Sequence, residues 1–412
     1  MAHPALDPIP LPRDRDHVLR PVREVPRLLR EEPVRKVRFP NGIDAWLVSR
    51  YEYFCAVTSD PARFSSRKDE TEPQKRQISR PPVNQPAAFN RSDGEQHRHY
   101  RRKLTKEFMV KRIAEMRPHI QRIVDEHLDD VARHSTPVDL VSTFTLPVPS
   151  LVIAELLGVP YGHRQAFQDA ASTSMSLHAT AADVQQSFAK LGEILGRVFD
   201  ARSSDPREDL ISRLLHEQRD LDREELTILC IGLLIAGHET TANFAGLAIA
   251  TLLQQPDQLA KFTAHPERAG QSVEELLRCL IGIEGGGGLI RRAVEDVEIG
   301  GQLIRAGEWV AASMAAANLD PALCPHADQL DLDRAPVAHV SFGYGPHACL
   351  GQNLARAELE IMLVSLFSRF PDLRLAVPVE DLPFRDDMLV YGVRALPVTW
   401  GARNGEAPVT TG

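Results

Sequence analysis

The chain has 412 residues, 43% hydrophobic and 25% charged, an ordinary globular composition that excludes a disordered or fibrous protein and allows a large buried core. A net charge of -8 and a pI near 6.0 argue against nucleic acid as a partner, which selects for a basic excess gathered on one face. Cys55, Cys230, Cys279, Cys324 and Cys349 are odd in number, widely spaced and free of any CxxC pair. Neither a disulfide framework nor a zinc site is expected, and the compartment is read as reducing, hence cytoplasmic.

Near the N-terminus Asp7, Arg13, Asp14, Arg15 and Asp16 break any apolar run, so no signal peptide is expected. Residues 1–60 mix Pro and Arg with short runs, Ala45-Trp46-Leu47-Val48 and Tyr53-Phe54-Cys55, that predict a small sheet beside helical segments. Residues 62–92, punctuated by Pro73, Pro81, Pro82 and Pro86, predict a long irregular connection of the kind that carries function. From residue 97 to about 290 the apolar spacing of three and four, as in Met109, Ile113, Met116, Ile120 and Ile123, predicts helices.

Residues 228–253 are long and apolar enough to span a membrane, yet His238, Glu239, Thr240, Thr241 and Asn243 sit at the centre, where lipid would make them costly. A buried core helix with a polar middle is predicted, and no membrane partner. Such polar groups cost several kcal/mol unless protein, water or ligand satisfies them, so a helix–helix hydrogen-bond network and a ligand site both remain open. Glu275 and Arg278 share one helix face, which on an exposed helix is a weak surface pair. Residues 294–312 read as paired short strands turning at Gly300-Gly301 and Ala306-Gly307, and residues 315–340 as a meander without clear periodicity.

Cys349 then stands directly before a helix predicted over residues 350–369, whose apolar positions are Leu350, Leu354, Ala357, Ile361 and Val364. Backbone N–H groups and the positive helix end favour a thiolate there. Gly343 and Gly345 let the chain turn closely against a flat cofactor, and Gly351 removes a side chain that would collide with it. For an arbitrary cysteine a small buried hydrophobe is the commoner role. Residues 389–400 read as strand-like, residues 401–412 as frayed, and the chain as a single domain over 1–412.

The pattern Phe342-x-x-Gly345-x-x-x-Cys349-x-Gly351 resembles the haem-binding signature of the cytochrome P450 family, and Ala236-Gly237-x-Glu239-Thr240-Thr241 resembles its oxygen-binding segment. The resemblance implies a mainly α fold with small peripheral β-sheets, binding haem b between the long central helix and the cysteine loop. Cys349 would be the iron's thiolate ligand. Gly237 would let the helix loosen, Thr240 would hold a water beside the oxygen site, and Glu239 would relay protons from solvent.

The haem propionates call for cationic or hydrogen-bonding partners. His97 and Arg101 resemble the family's His-x-x-x-Arg helix, Arg291 precedes a strand predicted over residues 293–299, and His347 lies two residues before Cys349. A solvated surface charge is the alternative for each alone. The resemblance also makes Glu275–Arg278 a buried lock under the haem, with Arg334 as third partner. Two departures, Asp93-Gly94-Glu95-Gln96 and the run Gly285 to Gly288, fall in segments resembling substrate-contact regions.

The function implied is monooxygenation of a bulky hydrophobic small molecule with O2, the electrons coming from a ferredoxin and its reductase. Arg101, Arg102, Lys103 and Arg356 are candidates for the docking face. A peroxide-driven oxygenase would not need Glu239 and Thr240. A haem-based sensor would show no substrate-induced change of iron spin state.

Overall fold

The computed structural model describes Leu19 and residues 25–38, 44–67, 87–218, 220–280 and 289–401; the run Gly285 to Gly288 lies outside them. The described helices are α1 (Val25–Glu31), α2 (Tyr51–Ser59), α3 (Gly94–Thr105), α4 (Val110–Arg133), α5 (Pro147–Leu157), α6 (Arg164–Met175), α7 (Ala181–Ser204), α8 (Leu210–Glu217), α9 (Arg223–Gln254), α10 (Pro256–Ala264), α11 (Ala269–Cys279), α12 (Met314–Asn318) and α13 (Gln352–Arg369). The described strands are β1 (Val34–Arg38), β2 (Asp44–Val48), β3 (Phe64–Ser65), β4 (Val138–Asp139), β5 (Leu289–Ala293), β6 (Val297–Ile299), β7 (Gln302–Ile304), β8 (Trp309–Ala312), β9 (Arg374–Leu375) and β10 (Pro397–Thr399). The predominance of helix with small sheets at the margin is the predicted architecture.

The core is built around α9. Its first turn closes by a reciprocal cap, Glu225 N donating to Asp222 Oδ1 at 2.8 Å and Asp222 N to Glu225 Oε2 at 2.9 Å. Being apolar on every side, the helix is stable only when surrounded, and α5, α6, α7, α10 and α13 pack on it. Its span meets the length and composition of a membrane helix, but most of it is buried inside the protein. At Gly237 a Cβ would come within 2.7 Å of Ile153 on α5, so the glycine sets how closely the two helices approach. The helix continues through Gly237 without a break.

The larger sheet has the order β1-β2-β8-β5-β3, with β2 and β8 parallel and the other pairs antiparallel. A second sheet runs β4-β10-β9, and β6–β7 form a hairpin. Three local expectations are corrected. Tyr53-Phe54-Cys55 belongs to α2, because Phe54, Val57 and Thr58 bury with helical spacing. Arg291 lies within β5 and pairs with Val310 of β8, so no single strand spans residues 293–299. In the tail only Pro397–Thr399 is a strand; upstream, Phe384 and Val393 form an isolated bridge.

The meander is held by polar contacts, which explains its lack of apolar rhythm. Arg278, 1% exposed, pairs with Glu275 at 2.8 Å and donates to the Asn318 and Ala327 carbonyls at 2.9 and 2.5 Å. Arg334 Nε reaches Glu275 at 3.0 Å and its Nη1 reaches the Pro325 carbonyl at 2.7 Å. The surface-pair alternative is thereby replaced by a buried lock with Arg334 as third partner.

Candidate active site

The cysteine loop folds back before α13 through two backbone hydrogen bonds, Gly343 N to Val340 O at 2.8 Å and Cys349 N to Phe342 O at 2.7 Å. Cys349 stands three residues ahead of Gln352, the first residue of α13, rather than directly at the helix start. Gly345 has φ 74° and a Cβ there would come within 2.7 Å of the Ser59 backbone at the end of α2, so the glycine is demanded by that contact. At Gly351 a Cβ would meet no atom within 4 Å, leaving open space beside the loop. Cys349 is a free cysteine in an exposed stretch of the loop. Desolvation pushes its thiol up, opposed by the Gly351 backbone N–H, Arg101 and Arg356.

Arg356 supports the loop from behind. Its guanidinium lies 4.4 Å over the Phe342 ring and donates to Glu274 at 2.6 and 3.1 Å. His339 bonds the same carboxylate at 3.0 Å. Against the penalty of burial, these partners hold the Glu274 carboxyl down at about 2.

His97, Arg101, Arg291 and His347 gather beside the loop. The His97 and His347 rings lie 4.2 Å apart, and Arg101 Nη2 donates to the Ala348 carbonyl at 2.7 Å. Arg291 is buried and bonds only its neighbour's carbonyl, Ile290 O at 2.9 Å, among the hydrogen bonds described for it. Burial lowers both guanidiniums from their ordinary value. Burial, then His347 and Arg101, bring the His97 imidazole down to about 4, and its Nε2 is buried without a partner. Two guanidiniums and an unpartnered ring nitrogen thus lie together beside the cysteine loop.

Asp93 is the hub that sequence reasoning assigned to a substrate-contact region. The structure buries it at the start of α3, where its carboxylate takes His347 Nε2 at 3.3 Å, Ser65 Oγ at 2.5 Å and the Ser66 amide at 3.0 Å. Although burial opposes it, these bonds hold the carboxyl down at about 2.

Glu239 and Thr240 lie apart from this cluster, at mid-height of α9. Between Leu229 and Leu252 only Gly232, Ala236, Gly237 and Thr240 are not buried, a stripe on one face of an otherwise enclosed helix. Thr240 Oγ1 donates to the Ala236 carbonyl at 2.9 Å, keeping its lone pairs on that stripe. Glu239 is 2% exposed, ion-paired with Arg385, and its Oε1 accepts from Asn243 Nδ2 at 3.3 Å. The polar centre thus carries a hydrogen-bond network on one side and a less buried face on the other.

The anticipated docking face is mostly spent internally. Lys103 is bonded to Asp220 at 2.5 Å, Arg356 to Glu274, and Arg101 to Ala348, leaving Arg102 as the exposed member. The internal roles were hidden because their partners are remote in sequence.

A cytochrome P450 family model matches residues 269–389. The chain is 42% identical to cytochrome P450-SU2 of Streptomyces griseolus over 381 residues, covering 92% of this chain and 94% of that one. It is also 42% identical to nocardicin C N-oxygenase of Nocardia uniformis subsp. tsuyamanensis, over 90% of this chain and 93% of that protein. The crystal structure of CYP105P1 in complex with filipin I aligns with a TM-score of 0.90 at 41% identity, covering 96% of this chain and 99% of that one. Identity of this extent along nearly the whole length makes the chain a member of the cytochrome P450 family, a haem-binding monooxygenase.

Proposed function

We propose that this monooxygenase, acting as one domain in the cytoplasm, inserts one atom of dioxygen into a C–H bond or alkene of a bulky hydrophobic small molecule of the polyketide or macrolide class. Electrons come from a ferredoxin and its reductase. The observation that carries the reading is the free Cys349 thiol beside Arg101, in a cluster where the His97 Nε2 is buried without a partner. Haem b needs one soft axial donor and counter-charges for two carboxylates, and this donor set fits both needs.

When bound, haem supplies the activation of dioxygen. Cys349 would ligate the iron, and His97, Arg101, Arg291 and His347 would receive the propionates. The open space at Gly351 and the accessible stripe of α9 supply room on two sides. Thr240 would hold a water on that stripe, and Glu239 would pass it protons taken from solvent. Arg102, the exposed member of the set Arg101, Arg102, Lys103 and Arg356, would contribute to the surface for an acidic ferredoxin, exchanging its exposed pairing with Glu95 for the partner's carboxylates. The five cysteines are free thiols, as a reducing compartment requires.

Support for the substrate class comes from a relative crystallised with filipin I. The test is titration of the ferric protein with filipin I as probe, followed by turnover with ferredoxin, reductase and reductant, or with hydrogen peroxide alone. A shift of iron spin state and product only with the electron donors is expected. Equal product from peroxide would make it a peroxide-driven oxygenase, and no shift or product with any donor would favour a sensor.

A further inference from the structure

Glu239 is the buried carboxylate of α9, and its counter-ion comes from the far end of the chain. Arg385 belongs to an irregular hairpin in which Arg385 N donates to Gly392 O at 2.9 Å and Arg394 N to Pro383 O at 2.7 Å. The Phe384 and Tyr391 rings stack across it at 5.4 Å. The hairpin is pressed onto α9: a Cβ at Gly392 would come within 2.1 Å of Asn243 Oδ1, and one at Gly246 within 2.9 Å of Val393. Glycine at both places lets the two backbones approach closely enough for Arg385 to reach inward.

Arg385 Nη1 contacts Glu239 Oε1 and also donates to Asn243 Oδ1 at 3.1 Å. Asn243 is fixed in turn by its bond to the Glu239 carbonyl at 2.7 Å. The carboxylate is thus held on one oxygen by two groups, while Oε2 lies 3.9 Å from the buried, unpartnered His238 Nε2. An ion-paired carboxylate offers only acceptor oxygens. Taking up a proton removes its charge, which weakens the ion pair and frees the loaded acid to turn and give the proton.

The other end of the hairpin is tied to the end of α6. Leu177 N donates to Asp387 O at 2.8 Å, Leu389 N to Met175 O at 2.7 Å, and Ser176 and Met388 form a bridge. One hydrogen-bonded piece of chain therefore touches both the α6–α7 connection and the carboxylate of α9.

Resting on the proton-delivery reading above, we propose that Arg385 is a positioning residue that sets the place of Glu239 and links its release to the α6–α7 connection through the hairpin. The cycle balances: protonated Glu239 gives its proton to the water at Thr240, re-pairs with Arg385 as the carboxylate, and is reloaded from solvent.

The test compares R385K, R385Q, E239Q and E239Q/R385Q as haem-loaded proteins. Amide hydrogen exchange over residues 175–177 and 384–393 is read first, because it needs no turnover. R385Q and E239Q are both expected to speed exchange there, and R385K to restore protection; unchanged exchange in R385Q overturns the proposal. With filipin I as probe, product formed per reductant consumed is expected to fall about tenfold in R385Q, to recover in R385K, and to be no lower in E239Q/R385Q than in E239Q. An equal further loss in the double variant would mean that Arg385 acts other than through Glu239, which also overturns it. If E239Q couples as well as wild type, the proton-delivery reading falls and takes the proposal with it. If E239Q is impaired and R385Q is not, the proposal alone falls.

Discussion

The backbone amide of Cys349 donates to the carbonyl oxygen of Phe342 at 2.7 Å, and the Phe342 ring in turn lies 4.4 Å under the Arg356 guanidinium. The thiol's position is therefore tied to α13 twice, once by chain continuity and once through Arg356 and its carboxylate partner on α11, Glu274.

That carboxylate makes the support dependent on pH. The Glu274 carboxyl stands at about 2 in the fold against an ordinary 4.5, so its ion pairs stabilise the protein above pH 4.5 and that stability is lost as the pH falls toward 2. E274Q should cost about 1–3 kcal/mol near neutral pH, and urea denaturation curves of variant and wild type should begin to converge below pH 4.5 and draw together only as the pH nears 2. A constant gap across that range would show that Glu274 acts by packing alone.

Glu358, on the buried face of α13, behaves in the opposite sense. It is fully buried, neither carboxylate oxygen has a partner, and burial pushes its carboxyl well up from 4.5. The folded state therefore keeps a proton that the unfolded chain releases, and stability falls as the pH rises above 4.5. E358Q should be more stable than wild type near pH 7 by an amount on the order of 1 kcal/mol, with the advantage gone near pH 4. Thermal melts at the two pH values check this, and a less stable E358Q at pH 7 would contradict it.

His97 contributes an unpartnered buried ring nitrogen, so its worth should appear only when a group that can bond it, such as a propionate, is present. H97A should lose haem to apomyoglobin at least about tenfold faster than wild type, the equivalent of one hydrogen bond to a charged group. Unchanged transfer would remove His97 from the propionate set.

How much of this was legible in the sequence depended on the range of the contacts involved. The run 228–253 declares a helix because its apolar character persists for many turns, and the structure extends it only to Arg223–Gln254. The cysteine loop and His97-x-x-x-Arg101 are local patterns, and both fall in the same cluster. Tyr53-Phe54-Cys55 misleads because three residues cannot separate a period of 2 from one of 3.6. Arg385 carries no local signal at all: its partner Asn243 is 142 positions away, and only the folding of the hairpin onto α9 joins them. Asp93 is similar, an ordinary helix-start residue in sequence whose role comes from His347, 254 positions downstream.

The most direct test of the central claim is the absorption spectrum of the reduced protein with carbon monoxide, wild type against Cys349→Ala. The account predicts a strongly red-shifted Soret band in wild type that disappears in the variant. A wild-type band at the position of histidine-ligated haem, or a red-shifted band that survives in Cys349→Ala, would contradict it.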